Sequence, residues 1–502
     1  MKRKEITLVF PGQGEMTKLR KGWLGRHVSL RLPLAVLFVA TPLMKRGYKV
    51  KILDLRLDRY QDHDFSNDLC VGISAITSGQ ITHGLEAAKW VRHKHPHIPL
   101  VWGGIHPTTF PEQTLANPYV DVIVKQEGEA TFLELVQVIE NDGLREDSLS
   151  KVQGLAFKTK EGQTVTNPNR PFLDFNTVDL PAYDLVDINR YFGIRHTFDY
   201  QSSRGCPFDC GFCYNKVFNN LRWRPKSADL VVDELMYLGD KYNVKEFSTV
   251  DDEFFIQKKR DTAIVEKLVE KSFNARWSGF CRFDTFDRLE DSWLPKLRAS
   301  GMEQIWMGAE SGNTDILKYM NKKVNIDQIL SAMVRTKKVS IRPAVSFILG
   351  SYGETDTSIE DTLGLYDKIL RVNPDAEING VFVYTPYPGA SMYEDAVKNG
   401  FDAPKSLEEW GQWEFNYRVN HRWLTPVQLD RITTISRMAR FRFFSTEFVN
   451  RNKKKRWLVN LFKIFNAPME FSYRWRWRNR KFRFAYEWHL WAFAVKKTFG
   501  FI

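Results

Sequence analysis

Three of the five cysteines in this chain stand within eight residues, in Arg204-Gly-Cys206-Pro-Phe-Asp-Cys210-Gly-Phe-Cys213-Tyr214. Three thiolates can hold three corners of a four-iron cluster and leave the fourth iron open to a ligand from a substrate. Zinc is the alternative, but a structural zinc site takes four ligands and no histidine lies within the loop to complete it. Cys70 and Cys281 are too few to ligate a second cluster and read as small core residues.

These groups need a frame. From Glu5 to about Ile139, short β-rich runs near Ile6–Phe10, Lys49–Asp54, Val71–Ile76, Pro99–Trp102 and Val120–Lys125 alternate with helical patterns at Pro33–Lys45, His83–Lys94 and Ala130–Ile139. Such alternation predicts a parallel sheet covered on both faces, with ligands at the carboxyl ends of its strands. Val101-Trp-Gly103-Gly104-Ile-His106 and Gln126-Glu127-Gly128-Glu129 follow two of those strands directly. Helix capping is the plainer role for either motif taken alone.

A polar connector rich in turn residues follows, and the βα alternation resumes from Tyr200 to about Thr385. Strands are expected near Tyr200–Ser203, Glu246–Val250, Ala275–Phe280, Gln304–Met307, Arg342–Phe347 and Gly380–Tyr384. Six βα units predict a barrel or part of one, with chemistry at the strands' carboxyl ends. Thr425 to Phe444 reads as a helix opened by Thr425-Pro426.

At 502 residues, with 43% hydrophobic side chains, the chain is long enough for two or three buried cores. Few cysteines, three of them clustered, exclude a disulfide scaffold and point to a reducing, cytoplasmic setting. The basic start breaks at Pro11-Gly12 before forming a signal-peptide core, and the longest apolar stretch, Leu32 to Met44, is too short to span a bilayer. Of the net charge of +13, residues 451–502 supply +12, from 14 Lys and Arg against two Glu. Basic-surface arguments therefore belong to the tail.

The cysteine spacing, with Phe212 just before the last thiol and Tyr214 after it, resembles the signature of the radical S-adenosylmethionine superfamily. That resemblance implies that the open iron of a 4Fe-4S cluster chelates S-adenosylmethionine and that one electron splits it to a deoxyadenosyl radical. Asp251 and Asp252 resemble the family's acidic patch beside the methionine amino group, or else cap the next helix. Arg282 either meets the methionine carboxylate or pairs with Asp284. Glu310 and Ser311 resemble the ribose-contacting segment. Gly350 resembles the segment along the adenine, or serves a tight turn.

An α/β domain with Gly-Gly-x-His and Gly-Glu motifs ahead of this barrel resembles the cobalamin-binding, class B, radical S-adenosylmethionine enzymes. The resemblance covers roughly residues 1 to 445. It implies cobalamin against Gly103, Gly104, His106, Glu127 and Gly128, bound without the Asp-x-His-x-x-Gly motif, which is absent. The fold class is then α/β: a doubly wound, Rossmann-like (flavodoxin-like) cobalamin domain at 1–145, a linker at 146–195, and a partial (β/α)6 TIM-type barrel at 196–390. A helical region with a basic aromatic tail occupies 391–502.

The expected reaction is C-methylation of an unactivated carbon on a hydrophobic or anionic small molecule, such as a lipid or tetrapyrrole. Alternatives are an oxidative or ring-forming reaction, as in the anaerobic magnesium-protoporphyrin monomethyl ester cyclase, and a cobalamin sensor without turnover. An electron donor such as flavodoxin or ferredoxin is implied. The tail, as in Tyr473-Arg-Trp-Arg-Trp-Arg478, is read as a peripheral membrane contact or as a helical cap packed on the barrel, in preference to a nucleic-acid site.

Overall fold

Side chains at alternate positions of a strand point to opposite faces, so a strand covered on both sides is buried at every step. β1 (Glu5–Phe10) shows this: Ile6 and Leu8 enter one core and Val9 the other. The computed structural model describes residues 4–12, 30–192, 197–413, 421–451 and 455–499.

β1, β2 (Lys49–Asp54), β3 (Asp68–Ser74), β4 (Leu100–Gly103) and β5 (Val122–Val124) form a parallel sheet in the order β2-β1-β3-β4-β5. This is the doubly wound order expected, with the strand order reversing between β1 and β3. Helices Leu34–Lys45 and Gly128–Asp142 bury Val36, Ala40, Leu43, Phe132, Leu135 and Val136 against one face. Helix Gly79–Lys94 buries Ile81, Leu85, Ala88 and Val91 on the other.

The stretch read as a linker is not structureless. It carries β6 (Leu155–Lys158) and β7 (Thr164–Thr166), which extend the same sheet antiparallel beyond β5.

The second unit is an open, parallel, six-stranded partial barrel. β8 (Thr197–Tyr200) is followed by a two-residue pair, β9 (Ser203–Arg204) and β10 (Arg224–Pro225). β11 (Glu246–Thr249), β12 (Arg276–Phe280), β13 (Met302–Glu310), β14 (Arg342–Leu349) and β15 (Glu377–Val383) then pair in sequence from β8. β8 and β15 do not pair with each other, so the barrel is left open along one seam. β8 ends three residues before the expected position, because Asp251 takes the backbone N–H groups of Ser202 and Ser203 at 2.7 and 2.8 Å. That turns the chain out of the sheet and into the cysteine loop.

The region expected to be separate beyond residue 391 divides in two. Ala396, Phe401, Leu407, Trp410 and Trp413 join the N-terminal core beside Ile81 and Trp102. Thr82 Oγ1 donates to the Gly411 carbonyl at 2.8 Å, and Trp410 Nε1 donates to Gln113 Oε1 at 2.6 Å. Helix Pro426–Arg451 instead lies along β15, burying Ile432, Ile435 and Met438. Helix Arg456–Asn479 follows; its Trp477 ring lies 4.4 Å from that of Tyr366 and its Nε1 donates to Asp367 at 2.8 Å. The helical-cap role of the tail is thus present.

Candidate active site at the carboxyl ends of both sheets

The cysteine loop is held on every side. Gly205 precedes Cys206 with φ +79°, and a Cβ there would lie 2.0 Å from the Arg222 carbonyl oxygen, so only glycine admits the turn. Gly211 N–H donates to the Met320 carbonyl at 2.8 Å and its own carbonyl accepts from Met392 N–H at 2.9 Å. Cys206, Cys210 and Cys213 are each partly exposed at this rim. Burial nevertheless pushes the Cys206 and Cys213 thiols up to about 12, so a metal must draw off their protons to ligate them.

Among the described residues, no three His, Cys, Asp or Glu side chains converge as one metal ion requires. A cluster asks for less convergence, since each thiolate takes a different iron, and the three-thiol loop fits a 4Fe-4S cluster with one open iron.

Arg282, entering from the end of β12, serves this loop. Its Nη1 donates to Cys210 Sγ at 3.0 Å, its Nε donates to Asp284 at 2.8 Å, and its Nη2 donates to the Lys322 carbonyl. The ion pair anticipated with Asp284 is formed. Lys322 in turn donates to Glu310 Oε1 at 2.9 Å and stands 5.7 Å from the Phe212 ring centroid. A register shift between β13 and β14 turns Glu310 inward at φ +62°, and its carboxylate fills the space a Cβ on Gly308 would need.

The acidic patch divides its labour. Asp251 is buried and spent on Ser202 and Ser203, so it shapes the chain rather than facing a ligand; burial raises its pKa to about 6. Asp252 accepts from Gly205 N–H at 3.0 Å and from the Tyr214 hydroxyl at 3.3 Å, and stays open to the cavity described below. Glu253, read from the sequence only as part of the acidic run, is fully enclosed: Oε2 accepts from Arg282 N–H at 2.9 Å and Oε1 has no partner. Burial raises its carboxyl to about 8. Its signal was present in the run Asp251-Asp252-Glu253, whereas Lys322 carries none.

Ser311 corrects the expectation. It is fully buried against Thr362 Oγ1 at 3.2 Å, behind the strand, which leaves Glu310 to face the lumen alone. Gly350 takes the tight-turn role, at φ +93°, with its N–H held by Glu354 and its carbonyl by Trp423 Nε1 at 3.0 Å.

Between the sheets lies a cavity of about 300 Å3. Gly103, Gly104, Glu127 and Gly128 form its wall after β4 and β5, Arg204, Gly205 and Tyr214 form it from the cysteine loop, and Asp252 from the end of β11. Gly104 is obligatory: at φ +99°, a Cβ would lie 2.6 Å from the Ala75 carbonyl oxygen. Glu127 is tied to Arg204 at 2.8 Å and to Arg224 at 2.5 Å.

His106 does not belong to this wall. It is fully buried, with Nδ1 3.0 Å from Thr77 Oγ1 and its ring 5.6 Å from that of Trp410, and burial drives its pKa down to about 3. No histidine lines the cavity among the described residues. A glycine-walled cavity at the strand ends fits the close approach of a flat macrocycle such as cobalamin's.

Below the rim, the barrel lumen is aromatic. Phe280 and Trp306 stack with centroids 6.1 Å apart, and Phe382 stands 37% exposed on the adjoining strands. Trp306 Nε1 and Asn379 Oδ1 are buried without partners.

Known proteins resemble this chain in sequence and in fold. The radical SAM superfamily model matches residues 200–366 and the B12 binding domain model matches residues 30–136. The chain is 30% identical over 414 residues to an uncharacterized methyltransferase of Pyrococcus horikoshii, spanning 80% of this chain and 84% of that protein. It is 26% identical over 402 residues to the anaerobic magnesium-protoporphyrin IX monomethyl ester cyclase of Synechocystis, spanning 77% and 76%. The radical S-adenosylmethionine methyltransferase TsrM of Kitasatospora setae superposes with a TM-score of 0.63 at 18% identity, over 80% of this chain and 78% of that one. The cobalamin-dependent S-adenosylmethionine radical enzyme OxsB gives 0.69 at 17%, over 94% and 72%. At such identities the structural likeness concerns the fold.

Proposed function

Because the chain belongs to the cobalamin-binding radical S-adenosylmethionine enzymes, we propose that it methylates an unactivated carbon of a hydrophobic or anionic small molecule. The observation that carries this reading is the shared wall: Tyr214 of the cysteine loop and Asp252, hydrogen-bonded to each other, line the cavity at the β4 and β5 ends. When bound, the cluster supplies the electron that cleaves S-adenosylmethionine, and cobalamin carries the methyl group.

The chain's own residues bind and orient. Cys206, Cys210 and Cys213 hold the cluster, with Arg282 donating to one sulfur. On this reading Asp252, exposed at the rim, meets an ammonium group, and Glu310 accepts from ribose hydroxyls. Gly103, Gly104 and Gly128 let a flat macrocycle approach the strand ends closely. The aromatic lumen of Phe280, Trp306 and Phe382 suits an apolar substrate. The reading includes an electron donor such as flavodoxin or ferredoxin and a membrane contact through residues 451–502. Among the described residues, no helix is long and apolar enough to cross a membrane.

The test is deoxyadenosine formation by anaerobically reconstituted, cobalamin-loaded protein against Cys210→Ala, with methyl-labelled S-adenosylmethionine and candidate substrates. Label in the product, matched to deoxyadenosine, supports methylation. The cyclase relative favours a second reading: substrate oxidised or cyclised without label would establish that one instead.

A further inference from the structure

Helix Arg456–Asn479 has two apolar faces where a surface helix has one. Val459, Met469, Tyr473 and Trp477 are buried. Trp457, Leu461, Ile464, Phe471 and Trp475 recur at three- and four-residue steps on another face, 49% to 73% exposed, and exposed Pro468 continues the stripe. The next helix, Tyr486–Phe499, adds Tyr486, Leu490 and Phe493 at 66% to 71% exposure. Half of the large apolar side chains that stand strongly exposed among the described residues fall between Phe444 and Phe493.

The charge around the stripe is of one sign. Lys455, Arg456, Lys463, Arg478, Lys481 and Arg483 are exposed. The segment's two carboxylates are neutralised, Glu470 by Arg474 at 2.8 Å and Glu487 by Arg476.

From this face we infer that helix Arg456–Asn479 lies in the surface of an anionic lipid bilayer, its tryptophans at headgroup depth and its lysines and arginines on lipid phosphates. A second copy of the chain would bring like charge against like charge across the same face. Nucleic acid would use the cations and tryptophans but has nothing to bury Leu461 and Ile464. A bilayer accepts all three kinds of side chain without shape complementarity. The inference deepens one partner of the reading above and is tested without turnover, so that either can fail alone.

The cluster-loaded protein is sedimented with vesicles of phosphatidylcholine alone and of phosphatidylcholine with phosphatidylglycerol. Expected are binding to the anionic vesicles, its decline with salt, and a loss of at least about tenfold in the triple variant Trp457→Ser, Ile464→Ser, Phe471→Ser. The single variant Ile464→Glu guards against a folding defect: at this exposed position it keeps the native circular dichroism and still weakens binding. Equal binding by variant and parent, no preference for anionic vesicles, or a dimer that the triple variant disperses would each overturn the inference.

Discussion

Arg204 donates to Glu127 at 2.8 Å, and so fastens the residue two places before the first cluster cysteine to the end of β5 in the other sheet. Its second nitrogen reaches Glu129 at 2.6 Å, and its guanidinium lies 4.6 Å from the ring centroids of Phe38 and Phe175. Burial works to raise the Glu127 pKa, but Arg204 and Arg224 overcome it and hold the carboxyl below its usual range. Removing one partner of a nearly buried pair leaves the other charge uncompensated. Glu127→Ala should cost roughly 3 kcal/mol in urea unfolding and weaken cobalamin retention. A cost below about 1 kcal/mol would mean that water screens the pair.

The Arg282 bond to Cys210 Sγ concerns electrons more than stability. A cation donating to a ligand sulfur favours the reduced cluster, so its removal lowers the potential. A bond of about 1.5 kcal/mol corresponds to about 60 mV for a one-electron couple. Arg282→Gln should therefore keep its cluster, shift it negative by that order in an EPR-monitored titration, and slow deoxyadenosine formation. An unchanged potential would leave Arg282 only its bonds to Asp284 and the Lys322 carbonyl.

Glu354 ties the Gly350 turn to pH. It is buried, with Oε1 unpartnered, and burial raises its pKa to about 7 from the ordinary 4.5. A raised carboxyl favours the folded state while it is protonated, and that advantage disappears as pH rises from the unfolded value through the folded one. Parent protein should lose roughly 3 kcal/mol relative to Glu354→Gln between pH 4.5 and pH 8. Thermal melts of the two forms across that window check it; parallel curves would refute it.

His106 offers the opposite kind of test. Its ring faces Trp410, away from the cavity. His106→Leu should cost about 1 kcal/mol through the lost Thr77 bond, yet leave the absorption spectrum and affinity of added cobalamin unchanged. A changed spectrum would return this residue to the cofactor.

Ten of the eleven strands read from the sequence lie near their expected positions because each is a short apolar run bounded by turn residues, a signal local to the strand. β8 moved because its end is decided by Asp251, some fifty positions away. β6 and β7 were missed because Leu155–Lys158 and Thr164–Thr166 are brief runs inside turn-rich text, and only the open edge of β5 makes them strands. The cysteine loop was legible since ligand spacing is itself the chemistry. His106 and Ser311 misled for one reason: a residue just past a strand end is placed by the sequence, but the direction of its side chain is decided by packing partners such as Trp410 and Thr362.

The return of Phe401, Leu407, Trp410 and Trp413 to the first sheet has a consequence for how the chain is made. During synthesis, the patch formed by Ile81 of helix Gly79–Lys94 and Trp102 of β4 emerges from the ribosome some three hundred residues before the tryptophans that pack beside it. The nascent first domain must wait, the apolar patch around helix Gly79–Lys94 incompletely covered, while the whole second unit is translated. A stop codon near position 395 would therefore injure the first domain, and the released fragment should need a chaperone holdase throughout its life.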